Sequence, residues 1–454
     1  MIKNNFMELD KLSAGRAVLK NALPAMISMI MALVYNMADL FFIGQNGDPL
    51  QSAAVTIATP VFILLMAIGN VFGIGGGALL ARSLGAGDND KVHKISSFCF
   101  WGVTSIGVIT SLTMYFNMDS LVVLLGASEE VAELASEYLR ILCIGGALVS
   151  MSNCFSALIR SSGEAGKSMK GMLLGNFINI VLDPIFILHF NMGVKGAAIA
   201  TVIANVIGVS YYFMHIFSKK TPMSVKLKDF TFGEGIAKNV MVIGIPASLA
   251  SVLMSISQII VNSQMAQYGD LAVAGAGVSL KTTMITNMLC VGIGMGVQPL
   301  LGFAIGANNK KRYSEIFRFS LKFSFLVGAV LTTFCYLNLD KIIGGFLPDP
   351  AAYEFAYSFA RYYLATGVLF GLLFVITNAL QAAGAASAAL IVNVSRQGIF
   401  FIPLTFLMGG TLGMHGIVMA QPLADVLSFL LACVLYRVAS KKMFVGNNGV
   451  HSIS

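Results

Sequence analysis

Apolar positions in this chain come neither in alternation nor as a stripe on one helical face. They run on in long blocks parted by short polar stretches, and about 20 residues at 1.5 Å each suffice to cross the hydrocarbon of a bilayer. Hydropathy predicts twelve such spans, at 19–44, 53–82, 94–117, 131–159, 168–190, 195–217, 238–267, 272–305, 314–337, 354–383, 385–409 and 414–438. A basic stretch, SKKTPMSVKLKDFTFGEG, separates the sixth from the seventh. The expected fold is an all-α polytopic membrane protein with twelve transmembrane helices in two pseudo-symmetric six-helix bundles. Residues 1–217 form the first lobe, 218–237 a cytoplasmic basic linker and 238–454 the second lobe.

The two halves carry matching markers. Pro24 corresponds to Pro246 and Gly47-Asp48 to Gly269-Asp270, both 222 residues later (246 − 24, 269 − 47). Leu84-Gly85-Ala86 answers Ile305-Gly306-Ala307, Gly163 answers Gly384, and Gly193-x-x-Gly196 answers Gly413-x-x-Gly416. Six crossings return a chain to its starting side, so the halves run in parallel orientation. In transporters, repeats of this kind place a substrate at their interface and alternate access by rocking, although a duplicated channel would show them too.

Charge fixes the orientation. Lys and Arg collect in alternate loops: Lys3, Lys11, Arg16 and Lys20, then Arg82, Lys91 and Lys94, then Arg160, Lys167 and Lys170, then Lys219 to Lys238, Lys310 to Arg312 and Arg437 to Lys442. The opposite loops hold Lys195 and Lys341 against Asp48, Asp119, Glu129, Glu130, Asp270, Asp340 and Asp349. Both termini are therefore expected in the cytoplasm. Only 11% of the 454 residues are charged, against about a quarter in soluble domains. The net charge of +8 is read as this loop asymmetry and not as nucleic-acid binding. No cleavable signal is expected at the N-terminus. The six cysteines lie singly, without C-x-x-C or Cys/His metal spacing, and are expected as free thiols.

The candidate chemistry sits where apolar runs are interrupted. Span 5 carries Asn176, Asn179 and Asp183 at i, i+3 and i+4 spacings, followed by Pro184. An ionisable group at membrane depth costs about 2.5–3.5 kcal/mol on insertion scales, so Asp183 is expected to face protein or a watered cavity. Pro184 removes one helical hydrogen bond beside it. Span 1 offers Tyr35-Asn36-Met37-Ala38-Asp39, a second intramembrane acid close to the outer end. Thr201 and Asn205 are one turn apart in span 6. In the second half, Arg396 and Asp425 fall inside spans 11 and 12 and are expected to form a buried ion pair.

Other features have plainer readings. Gly69, Gly73 and Gly77, with Gly292 and Gly296 later, form ridges for close helix packing. Ser162 to Ser168 imitates the end of a P-loop, but Ser161 stands where the motif needs Gly and no strand precedes it, so ATP binding is rejected. Two membrane aspartates also suit an intramembrane aspartyl protease. Asp183, however, follows Val-Leu rather than the G-x-G-D context of presenilin-like enzymes, and no enzymatic activity is expected.

Twelve spans in two halves, Asp39 in a polar first helix, Asn179-x-x-x-Asp183-Pro184, Leu84-Gly85-Ala86-Gly87 and Ala157-Leu-Ile-Arg160-Ser-Ser-Gly163 together resemble the MATE (multidrug and toxic compound extrusion) transporters, most closely their bacterial DinF-like branch. The resemblance spans nearly the whole chain. It implies secondary active export of bulky, often cationic compounds from a bacterial plasma membrane, driven by inward H⁺ or Na⁺, with no other cofactor. It places the ion site at Asp39, Asn179, Asp183 and Thr201, the last three with a carbonyl near Ala197 or Ala198 forming an oxygen cage for Na⁺. Tyr35, Asn36, Asn153 and Asn176 would line the neighbouring cavity. Other branches carry an acid in span 7; here that span offers Gln258 and Asn262, span 10 offers Gln381, and Arg396 and Asp425 complete the second-lobe candidates. Expected partners are small-molecule drugs, lipophilic cations and membrane lipid, for a monomer that binds no nucleic acid. The alternative is a flippase for a lipid-linked precursor from the same superfamily, for which several cavity cations would be needed.

Overall fold

The computed structural model describes residues 5–45, 48–218, 221–344 and 350–444. Gly47, a marker of the repeat, and Lys3, Lys219, Lys220 and Asp349, counted in the charge sorting, lie outside the described residues. Helices supply all the regular structure among those residues. In order, the spans are Ala14–Gln45, Pro49–Gly85, Asn89–Phe116, Glu129–Ser161, Ala165–His189, Gly193–Phe217, Ile236–Ala266, Asp270–Gly306 and Lys310–Leu337. Span 10 is two helices, Pro350–Ala365 and Gly367–Ala382, bent by 44° at their junction. The last helical stretch, Ala386–Lys442, is 57 residues, far longer than the ~20 needed to cross. It breaks at Gly413, where φ is 62° and ψ −144°, into spans 11 (386–412) and 12 (414–442). Counted this way, the described residues contain twelve candidate spans.

Repeat markers fall at equivalent places. Pro24 and Pro246 lie inside spans 1 and 7. Ala86 and Ala307 cap the ends of spans 2 and 8, and the next helices are capped alike: Asp88 Oδ1 accepts from Lys91 N at 3.0 Å, Asn309 Oδ1 from Arg312 N at 3.0 Å. Gly163 and Gly384 turn the ends of spans 4 and 10 in left-handed conformation. Gly196 and Gly416 each let the sixth helix of its half press on the backbone of the fifth, at Phe186 and Met408. Two short helices, Met118–Leu124 and Leu339–Gly344, also correspond, beginning at 118 and 339.

Contacts group the chain into two units. Unit 1 is Met1–Leu9 with Ile27–Ser248; unit 2 is Asp10–Met26 with Leu249–Ser454. In unit 1, span 4 is the most enclosed element, with 67% of its apolar window buried against 28% for span 5. Its core joins Leu65, Leu139, Leu142 and Ala197. Gly73 is pressed on Cys154 and Ala157, so the span 2 glycines serve packing there. The segment after span 6 docks on the start of span 3: Ser97 Oγ donates to Lys226 O at 2.7 Å, Ser224 N to Ser96 Oγ at 2.9 Å, and Phe98 stacks on Phe230. Unit 2 packs span 8 against both pieces of span 10, with Val261, Phe359, Phe401 and Val418 at its centre. In the same unit Gly292 and Gly296 press on Met26 and Ala22. All six cysteines are free, five of them buried.

Candidate functional site

In unit 1 the polar interruptions of spans 1, 5 and 6 converge. Asp183 is 0% exposed and Asp39 9%, so Asp39 does not snorkel to the surface despite its place near the span's end. Asn179 and Thr201 are equally enclosed. With its amide oriented to satisfy both ends, Asn179 donates from nitrogen to Asp183 Oδ2 at 3.0 Å and accepts at oxygen from the Thr201 backbone N–H at 3.2 Å. Asn179 thus ties span 5 to span 6 through its oxygen while its nitrogen holds the acid on its own helix. One oxygen of each carboxylate, Asp39 Oδ1 and Asp183 Oδ1, is buried without a hydrogen-bond partner among the described residues. An unpaired buried carboxylate oxygen is costly, and a bound cation or proton relieves it. The two acids lie within electrostatic reach of each other, of Tyr35 and of Tyr138.

Local chain geometry holds this arrangement. Span 5 is α-helical to Pro184, and the next residues, Ile185–His189, form a π-helical turn in which Phe190 N donates to Ile185 O at 2.9 Å. Such turns follow where the normal i−4 ladder is broken, and recur at functional sites.

In front of the acids lies an open cavity of about 730 Å³ empty volume, open solvent included. Tyr35, Asn36, Asn153, Asn176, Asn179, Thr201 and Asn205 supply most of its polar lining, Phe62, Met66 and Met172 much of the rest. Asn153 and Asn205 donate to their own helices, to Val149 O at 3.0 Å and Thr201 O at 2.8 Å. Among the described residues, no Lys or Arg lines this cavity. Asp39 and Asp183 sit behind its wall, at Tyr35, Asn179 and Thr201.

Unit 2 has its own polar centre. Arg396 Nε donates to Asp425 Oδ1 at 2.8 Å, forming the ion pair expected from the sequence. Gln421 donates to the same oxygen at 2.9 Å, and Thr366 to Oδ2 at 3.4 Å. Arg396 also lies over the Phe370 ring, 4.6 Å from its centroid. A second π-helical turn, Ser395–Ile399, carries Arg396. Gln258 lines the cavity beside the pair and bonds Asn262 at 3.0 Å. Gln381 is held apart from them, accepting from Gln298 at 3.2 Å. The second-lobe candidates therefore do not form one cluster.

Tyr138 and Gln421 escaped sequence reading. Gln421 is four residues before Asp425, a spacing that places both on one face, so the signal was present. Tyr138 had none, since only the packing of span 4 brings it to the acids. No group of three or more His, Cys, Asp or Glu side chains suited to a resident metal occurs among the described residues.

The MatE family model matches residues 24–185 and 246–407, one copy in each half. The chain is 30% identical over 436 residues to the multidrug export protein MepA of Staphylococcus saprophyticus, covering 96% of each chain. MepA of Staphylococcus aureus strain NCTC 8325 is similar to the same extent. Among solved structures, a MATE crystallised in complex with MaL6 superposes with a TM-score of 0.90 at 26% identity, covering 97% of this chain and 100% of the other. An outward-facing multidrug resistance MATE transporter of the MOP superfamily gives 0.90 at 26% identity, with coverage of 97% and 98%.

Proposed function

The chain belongs to the MatE family of membrane transporters, and from that premise we propose that it is a secondary active multidrug exporter. In this reading it exchanges inward-moving H⁺ or Na⁺ for bulky, often cationic compounds by rocking alternating access in a bacterial plasma membrane. The observation that carries the reading is the buried pair Asp39 and Asp183, each with one unpartnered oxygen, set behind a polar and aromatic cavity.

The travelling cation satisfies those oxygens. A proton needs only the carboxylates. Sodium, a hard ion, prefers several oxygens, by analogy with Ca²⁺ and Mg²⁺. Asp183, the Asn179 amide oxygen and the Thr201 hydroxyl offer them along two adjoining helices. Discharging the acids also alters the charge that a cationic compound meets in the cavity, which supplies a coupling of opposite fluxes. The export of drugs rests on the likeness to the MepA proteins.

The flippase alternative calls for several cations facing a pyrophosphate headgroup. Among the described residues the unit 1 cavity is lined by no Lys or Arg and the unit 2 cavity by the single Arg396, short of that number. The deciding experiment is dye efflux from everted vesicles under an imposed ΔpH or Na⁺ gradient. Uptake into the vesicles driven by either gradient is expected. Absence of transport under both, with the protein present and folded, overturns the proposal.

A further inference from the structure

The unit 2 cavity contains a salt bridge that is only half made. Arg396 reaches Asp425 through Nε alone, and neither Nη atom has a hydrogen-bond partner among the described residues. On the other ion, Oδ1 is filled by Arg396 and Gln421, while Oδ2 has a single long contact from Thr366 at 3.4 Å. Guanidinium offers five N–H donors and a carboxylate about four acceptor sites. Four donors and most of one oxygen are therefore left over, beside a cavity of about 650 Å³ empty volume, open solvent included.

The chain holds the pair in place. The π-helical turn at Ser395–Ile399 breaks the regular ladder, and Ser257 Oγ donates to Gln397 O at 2.7 Å. Phe370 supports the guanidinium from one side. Tyr363, Phe401 and Met254 line the same space. A flat aromatic body fits walls of that kind, and the leftover donors and acceptor would recognise its polar ends.

We propose that this cavity is a subsite for aromatic zwitterions, in which a ligand carboxylate takes the two Nη atoms of Arg396 side by side and a ligand cation takes Asp425 Oδ2. The planar Nη pair matches a carboxylate in two parallel hydrogen bonds. Charge chooses the class. Arg396 and Asp425 already neutralise each other, so a monoanion or a monocation brings an uncompensated charge into a low-dielectric space. A zwitterion brings none and completes both ions. The inference rests on the exporter reading, because it names a substrate class for the same transporter, but it is tested by binding alone.

The probes are a rhodamine with a free carboxylate, an aromatic zwitterion, and its methyl ester, a cation of nearly the same shape. Binding of each to the purified full-length protein in lipid nanodiscs is followed by fluorescence anisotropy. The free acid is expected to bind about tenfold more tightly than the ester, the scale for losing a bidentate charged pair. Arg396→Lys keeps the positive charge beside Asp425 but replaces the planar fork by a point charge. It should erase the preference by weakening the free acid far more than the ester. Equal wild-type affinities for acid and ester overturn the proposal without recourse to any variant, and so does an Arg396→Lys protein that weakens both equally. If the acid is preferred and Arg396→Lys removes the preference, yet everted vesicles pump neither dye, the subsite stands and the exporter reading falls.

Discussion

At the scale of single residues, the buried acids of the two units differ in what surrounds them. Asp183 is held by Asn179 on one oxygen and open on the other, with no Lys or Arg paired to it among the described residues, whereas Asp425 has one oxygen filled by Arg396 and Gln421 and the other touched only by Thr366 at 3.4 Å. Asp183→Asn is expected to abolish gradient-driven efflux with expression largely intact, because the amide keeps the shape and loses the exchangeable charge. Asp39→Asn should do the same less completely; normal resistance from both variants, at normal expression, refutes the site. Thr201→Val separates the ions: it removes one hydroxyl ligand and keeps both acids, so Na⁺-driven efflux should fall roughly tenfold while ΔpH-driven efflux persists. A wild type indifferent to Na⁺ at every pH would leave a proton relay alone. In unit 2, Arg396→Ala strands Asp425 and should cost about 3–5 kcal/mol, read as loss of folded protein in thermal unfolding. Asp425→Asn should cost less, since the amide still accepts from Gln421. These acids were legible because a charge within an apolar run announces itself. Tyr138 was not, because a lone tyrosine in a helix gains meaning only from what packs beside it.

At the scale of elements, what hydropathy predicts well is where helices lie, and what it misses is how they break. All twelve spans appear within a few residues of their expected bounds. The bend at Thr366 within span 10 and the short helices Met118–Leu124 and Leu339–Gly344 leave no trace in hydropathy, since the bend interrupts no apolar run for long and helices of seven and six residues are too short to fill a window. The π-helical turns differ in legibility for a physical reason. Pro184 signals the one in span 5 by its missing N–H, while Ser395–Ile399 contains no proline and relies on tertiary partners such as Ser257. Gly413 was visible as a repeat marker, but its task is seen in the fold: φ 62° and ψ −144° is a conformation that essentially glycine alone adopts. Its nearest neighbours stand 3.5 Å or more from a Cβ, so the penalty of a side chain there is conformational. Gly413→Ala is expected to destabilise by about 1–3 kcal/mol. Gly410→Ala, three residues earlier with open space around it, should leave the unfolding midpoint nearly unchanged. Equal shifts for both variants would show that the break at Gly413 does not depend on its backbone.

At the scale of the whole molecule, repeat and charge sorting make one claim between them. A half with six crossings brings its partner in with the same orientation, so basic loops of both halves must fall on one side of the membrane. The sequence satisfies this twice over: Arg82, Lys91 and Lys94 follow span 2 as Lys310, Lys311 and Arg312 follow span 8. The structure gives these corresponding turns matching caps, at Asp88 and Asn309, so the correspondence extends from composition to backbone geometry. Translocation of positive loops is disfavoured, and on that ground they, both termini and the segment between the halves are expected in the cytoplasm. Single-cysteine variants Asp48→Cys and Lys228→Cys test this, the second at an exposed position of the segment that docks on span 3. Five native cysteines are buried and Cys433 is half-buried, so Cys433→Ser supplies the background and the parent protein the control. In sealed cells a membrane-impermeant maleimide should label position 48 and spare position 228, and permeabilised cells should yield both. Labelling of both from outside would place the two loops on one face, which an odd number of crossings between them forbids. The count of spans and the parallel relation of the halves would then fail together.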